Sequence, residues 1–304
     1  MRQRGVALIT AIVVVAIATI LAVRIGTRAA LDLRRTEGLV ALDRGWHVGL
    51  GAEAWAIEAL KEDYESSTDS DHLAEAWAKP LPPLPVDGGE VRGALEDMQG
   101  RFNLNNLVDS KGEIVDANVE RFGNLLVLLG AQPRWAPLMA DWIDNDANPD
   151  MAGGAEDGTY LSQDPPYRTA NRLVSTTTEM MALPGMTRDE FERIRPYVAA
   201  LPRGSTINVC TAKAPVLAML GEGVVDFSNE ELLTANRRDG CFPTPDVFSN
   251  IPEPQRDLLL SQTTEWFRAL TAVRIGTSEF TLYSLIHRDG NTAIRTVLRS
   301  TGTE

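Results

Sequence analysis

The densest acidic stretch of the chain is Asp141-Trp142-Ile143-Asp144-Asn145-Asp146-Ala147-Asn148-Pro149-Asp150, with Glu156 and Asp157 following Gly153-Gly154. Asp144, Asp146 and Asn148 stand at alternate positions, as in the first half of a calcium loop, where hard oxygen ligands converge on one ion. The stretch is not an EF-hand. Pro149 stands where that loop needs glycine, Ala155 where it needs a bidentate glutamate, and Glu156 comes one place late. A different backbone path can still bring Asp141, Asp144, Asp146, Asn148, Asp150, Glu156 and Asp157 to one cation, and carboxylates that close repel one another without it. Spacing alone leaves a divalent cation site and a solvated acidic loop both open.

The remaining candidates carry less chemistry. His47, His72 and His287 share no metal-ligand spacing and read as solvated or packing residues. There is no serine or cysteine nucleophile signature, no P-loop and no zinc motif, so no catalytic residue is assigned and the chain is read as a non-enzyme. A hydrolase using the acidic cluster with a metal would need a histidine or a clear acid/base pair beside it, and none is visible. Val174–Tyr197 resembles a helix-hairpin-helix with Leu183-Pro184-Gly185-Met186 as its turn, a motif that can grip DNA backbone. Glu179, Asp189, Glu190 and Glu192 crowd it, partly balanced by Arg188, Arg193 and Arg195, so it reads as a structural helix pair. The formal net charge of −13 also opposes nucleic-acid binding. A membrane-anchored helix-hairpin-helix protein that handles DNA during uptake is the alternative, and it would require a basic groove.

These residues must be positioned by the elements around them. From Arg24 to about Tyr64 the sequence stays helical without proline, with Leu31, Leu39, Leu42, Trp46, Leu50, Trp55 and Leu60 at helix-compatible spacings. Gly38, Gly45, Gly49 and Gly51 are costly there and mark bends or close packing. The helix should end near Glu65-Ser66-Ser67-Thr68-Asp69-Ser70. Pro80-Leu81-Pro82-Pro83-Leu84-Pro85 is an extended linker that cannot be helix or central strand. A β segment is expected around Gly89–Met98, a helical stretch broken by the acidic loop over Val119–Leu201, and a helix over Glu253–Leu270. Thr277–Arg288 and Ala293–Ser300 read as strands flanking the hairpin signal Asp289-Gly290. The order predicts an α+β fold: a long N-terminal helix and a small α/β domain (65–110 and 242–304) interrupted by an inserted helical domain (111–241).

The first residues decide where this fold resides. Met1-Arg2-Gln3-Arg4-Gly5 is a short basic leader, and Val6 to Val23 is an apolar run free of charge and proline. At about 1.5 Å per residue the run is roughly the minimum that crosses a bilayer. Arg2 and Arg4 favour a cytoplasmic N-terminus and export of the rest; Arg24 weakens that bias a little. The glycine precedes the apolar segment, an order that suits cleavage between Gly5 and Val6 by a prepilin-type peptidase, with an uncleaved single-span anchor as the other reading. Export places Cys210 and Cys241 in an oxidising compartment, where a disulfide between them is expected rather than two unpaired thiols.

A Gly-terminated leader, a transmembrane helix and a small α/β domain together resemble the type IV pilin and type II secretion pseudopilin family. Most members carry Glu at the fifth mature position, and here that position is Thr10. The atypical minor pseudopilins of the general secretion pathway protein K family are similar on this point and in their large helical insert. Met98-Gln99-Gly100-Arg101-Phe102-Asn103-Leu104-Asn105, Asp141-Trp142-Ile143-Asp144, Gly154-Ala155-Glu156-Asp157, Pro166-Tyr167 with Asn171, and Ile207-Asn208-Val209 match that family as well. The resemblance implies a subunit at the tip of a periplasmic pseudopilus. Its implied partners are other minor pseudopilins, the major pseudopilin, the prepilin peptidase, inner-membrane lipid and secreted substrates. It also implies methylation of the mature chain and structural calcium bound in the acidic region.

Overall fold

The computed structural model describes residues 4–66, 69–150, 153–220, 230–237, 240–242, 248, 251–290 and 293–301. Met1–Gln3 of the expected leader lie outside that set; Gly5 and Val6 are helical.

Helix α1 (Arg4–Ser66) is one continuous helix of 63 residues, about 95 Å long. Among the described residues its lower half is solvent-exposed, and from Leu8 to Leu42 its large apolar side chains are exposed. Its upper half is the spine of the head. Two of the four glycines there explain themselves. A methyl at Gly45 would lie 3.0 Å from Phe280, and one at Gly49 would lie 3.3 Å from Leu282, so both let the helix lie close on the sheet. Gly38 and Gly51 have open space around them and no packing reason.

After α1 come β1 (Leu84–Val86), β2 (Gly89–Asp97) and β3 (Phe102–Asn103). The helical block follows: α2 (Asp116–Leu128), α3 (Trp135–Ile143), α4 (Asp157–Tyr160), α5 (Arg188–Ile194), short strands β4 (Val198–Ala199) and β5 (Ile207–Asn208), then α6 (Ala214–Ala218), α7 (Glu230–Asn236) and α8 (Glu253–Leu259). The chain closes with β6 (Leu260–Ser261), β7 (Trp266–Ile275), β8 (Ser278–Asp289) and β9 (Ala293–Thr301). The main sheet is ordered β1-β2-β7-β8-β9, and every pairing in it is antiparallel. Pro85 sits in β1, an edge strand, where a missing N–H costs no ladder bond.

Two expectations need correction. The helix expected over Glu253–Leu270 stops at Leu259, and Trp266–Ile275 is the central strand β7. The helical block is also wider than 111–241. One core runs from Phe102, Leu104 and Leu107 through Phe122, Trp135, Met139 and Tyr160 to Phe242 and Phe248. The sheet yields to the block after Asp97 and resumes at Trp266.

That junction is held by a buried polar network around Asp97, to which Gln99 and Asn208 of the family-like segments contribute. Asp97 accepts hydrogen bonds from Gln99 N (2.7 Å), Asn208 Nδ2 (2.8 Å), Thr211 Oγ1 (2.5 Å) and Thr264 Oγ1 (2.6 Å). Gln99 Oε1 accepts from the backbone of Glu265 and Trp266. Deeper in the block, Asn105 Nδ2 donates to the carbonyls of Val174 and Leu201. These amides do what strand pairing cannot, because the segments they join run in no common sheet.

The register fixes how the head sits on its spine. Along β8, Phe280 meets Gly45, Ser284 bonds to Glu53 at 2.5 Å, and Arg288 bonds to Asp63 at 3.3 Å. Strand and helix therefore climb together, and Asp97 and Trp266, where the block departs, lie at the far end of α1. The helical block crowns the end of the spine opposite the apolar run.

Candidate cation pocket

Helix α3 is apolar on nearly every side and is buried all round, as such a helix must be. Its last turn carries Asp141, wholly buried, and its C-cap is Asp144, 3 % exposed. Two carboxylates at the negative end of a helix dipole are placed against the electrostatics of the helix itself. Oxygens of Asp144, Asp146 and Glu156 lie within 4.8 Å of one another. The rest of the neighbourhood is aromatic: Trp142, Tyr160 and Tyr167 contact one another, with ring centroids 5.1 Å apart for Trp142–Tyr160 and 5.4 Å for Tyr160–Tyr167.

The loop path explains how the oxygens meet. Asp150 N donates to Asp141 Oδ2 at 3.0 Å, folding the loop back on α3. Asn171, with φ of 44°, donates from N to Trp142 O and from Nδ2 to Asp146 O, closing the other side. Gly154 passes so close to Asp141 that a methyl there would lie 2.0 Å from Oδ2. Only glycine fits.

Hydrogen bonding in the pocket is incomplete. Among the described residues, Asp141 Oδ1, Asp144 Oδ1, Glu156 Oε1, Trp142 Nε1, Tyr160 Oη and Asn171 Oδ1 are buried without a partner. Six such atoms around one cluster are far from the native norm. Burial raises the Asp141 carboxyl to about 6, with Glu156 and Asp150 adding repulsion against bonds from Asp150 and Ala155. Burial raises Asp144 to about 7, and the charges acting on it are Asp141, Asp146 and Glu156. Glu156 is raised by burial too, against a hydrogen bond from Thr169.

A second acidic group, Asp63, Asp71 and Glu75, makes the contrast clear. There Arg288, itself 4 % exposed, bonds to both aspartates and lies 4.7 Å over the Phe267 ring. That cluster has its own cation. The Asp144 cluster has orphaned oxygens instead, and an all-oxygen donor set of this kind suits a hard divalent ion.

The seven carboxylate and amide residues proposed from sequence do not all converge. Asp144, Asp146 and Glu156 do, with Asp141 adjoining. Asp157 turns aside, its Oδ1 accepting from Thr169 and its Oδ2 facing Arg168 at 3.4 Å. Asn148 is exposed, and its backbone caps Asp146. Asp150 contributes its N–H to Asp141. Sequence reasoning did not reach Trp142, Tyr160 and Asn171 as parts of the pocket; their orphaned polar atoms appear only once the loop is folded.

The other candidates settle into structure. Cys210 and Cys241 form a disulfide, joining β5's far end to the segment after α7. His287 stacks on Trp266 with centroids 4.3 Å apart. In the helix-hairpin-helix segment, Glu190 is buried and accepts from Trp135 Nε1 and Gln132 N, both at 3.1 Å, so its second helix turns inward. Thr10, at the fifth position after the expected cleavage, donates from its hydroxyl to Ala7 O at 3.0 Å.

Residues 100–203 match the family model of type II secretion system protein K. The chain is 34 % identical to type II secretion system protein K of Pseudomonas aeruginosa, over 99 % of this chain and 93 % of that one. It is 30 % identical to the protein of the same name from Pectobacterium carotovorum, over 95 % and 94 %. Its fold matches a chain in the crystal structure of the GspK–GspI–GspJ complex from the enterotoxigenic Escherichia coli type 2 secretion system, with a TM-score of 0.73 and 24 % identity, covering 89 % of this chain and all of the other. A spine helix carrying an antiparallel sheet and a crowning helical block is thus the architecture of a minor pseudopilin. The chain belongs to the type II secretion system protein K family. Its apolar N-terminal helix, the one described helix able to cross a membrane by length and composition, fits a single-pass inner-membrane anchor.

Proposed function

We propose that this chain is the tip subunit of the pseudopilus, cut after Gly5 by the prepilin peptidase, with its N-terminus cytoplasmic and its head periplasmic. It assembles with other minor pseudopilins above the major pseudopilin and starts or caps the filament that drives export of folded proteins. The observation that carries this reading is the position of the helical block at the far end of α1. A filament grows by stacking spines, and a crown there blocks the next subunit above. Thr10 supports the same reading. A hydroxyl satisfied within its own helix offers no charge to a neighbour's terminal amine. Coexpression with the other minor pseudopilins tests it: a complex with one copy of this chain is expected, and several copies in series would overturn it.

The head is held by calcium in this proposal. Asp144, Asp146 and Glu156 would hold the ion, with Asp141 alongside, and its charge would relieve the repulsion among them. The role proposed for the ion is structural: its charge would offset the buried carboxylates of Asp141, Asp144 and Glu156 and hold the acidic loop against the end of α3.

A further inference from the structure

Just above the apolar run, α1 carries four arginines, Arg24, Arg28, Arg34 and Arg35, against one acid, Asp32, up to position 35. In a chain of net charge −13 this segment stands out. All are exposed, and among the described residues no carboxylate pairs with Arg24, Arg28 or Arg35. Higher up, Arg44 faces Asp87 at 3.9 Å. By helical period, Arg24, Arg28 and Arg35 fall within about 40° of one another, on a stripe roughly 16 Å tall. Leu31 shares that face.

The same period places the stripe beneath Gly49 and Glu53, the face of α1 that meets β8. The head overhangs it. A neighbouring spine cannot lie along that side for its whole length, and the surface remaining below the overhang is the membrane. Side chains on a helix lean toward its N-terminus, so these guanidinium groups lean down toward the headgroup layer, with Arg24 at the hydrocarbon edge. Arginine matches phosphate geometry with two parallel hydrogen bonds. Basic residues on the exported flank also run against the usual charge bias, and once a leader holding Arg2 and Arg4 is removed, this stripe is the main basic patch beside the bilayer.

We propose that Arg24 and Arg28 bind anionic phospholipid headgroups of the outer leaflet and hold the helix at fixed depth, while Arg35, roughly 16 Å above Arg24 and so beyond the headgroup layer, adds attraction to the same surface from about a Debye length away. The proposal rests on the single-pass anchor reading. The test uses the full chain in mixed micelles with equal phosphatidylglycerol and phosphatidylcholine, counting bound lipids by native mass spectrometry. The wild type is expected to retain phosphatidylglycerol over phosphatidylcholine by tenfold or more, falling with salt, since each basic group near an anionic surface contributes roughly a fivefold preference. R24Q/R28Q/R35Q should lose the preference, and R34Q, off the stripe, should keep it. An equal preference in wild type and triple variant, or none in the wild type, overturns the proposal. So does a triple variant that keeps its lipids but no longer binds other minor pseudopilins, which would make the stripe a protein contact. A wild type that does not float with pure phosphatidylcholine vesicles would instead sink the anchor reading.

Discussion

Arg299 of β9 grips Glu53 of α1 with both arms of its guanidinium, Nε to Oε2 at 2.8 Å and Nη2 to Oε1 at 2.7 Å. Ser284 of β8 donates to the same carboxylate. Glu53 is buried on the face of α1 that also meets the sheet through Gly45, Gly49, Trp46 and Asp63, and its pairing with Arg299 locks the last strand to the spine.

Burial raises the Glu53 carboxyl, and the bonds from Arg299 and Ser284 more than reverse this, holding it below its ordinary value of 4.5. A depressed folded pKa contributes stability above the unfolded value that is lost as pH falls through the folded one. R299A is therefore expected to destabilise the protein by about 1–2 kcal/mol near neutrality, less than for a fully buried pair because Arg299 is partly exposed. The gap to wild type should shrink below about pH 4. Thermal melts from pH 7 to pH 3 check both the size and the closing of the gap.

Asp97 gathers four donors in a fully buried site, and burial raises its carboxyl against those bonds. Asp97→Ala would leave the hydroxyls of Thr211 and Thr264 and the Gln99 N–H without their acceptor, a cost of about 3–5 kcal/mol. The loss should appear as separation of sheet and block. Hydrogen exchange at Gln99 and Asn208 should rise before exchange along β7 and β8.

The disulfide closes a loop with a sequence separation of 31, worth about 3–4 kcal/mol in the chain-entropy model. Replacing Cys210 and Cys241 by serine should lower the denaturant midpoint accordingly, and the same loss should follow reduction of the wild type by dithiothreitol.

The spine and the β8–β9 hairpin were legible in sequence because each rests on local signals, an apolar run and alternation around Asp289-Gly290, and the helical insert was legible from the order of elements, a helical stretch with strands before and after it. Strand β7 was not legible. Trp266–Ile275 follows a true helix and its apolar residues also fit a helical period; only pairing with β2, some 170 residues earlier in sequence, makes it a strand. In the pocket, Asp144 and Asp146 announced themselves by alternate spacing. Asp157 misled because Arg168 and Thr169, distant from the acidic run, claim it. Asn171 stood out only through the family resemblance and Tyr160 not at all, since nothing in their type marks a residue whose polar atom will be buried beside a carboxylate.

Calcium should raise the melting temperature of the full chain in detergent. At a hundred times Kd the gain is about 2.7 kcal/mol, roughly 5–10 °C. D144N and E156Q should each lose most of the response, while D157N should keep it. Equal melting in calcium and in chelator would remove the ion from the account.

The tip position itself is read most directly by locating the head on filaments. In cells overproducing the major pseudopilin, gold-labelled antibody to the helical block of this chain should mark free filament ends, one site per filament. Label distributed along the shafts would mean that further subunits stack above the crown, and the tip assignment would be wrong.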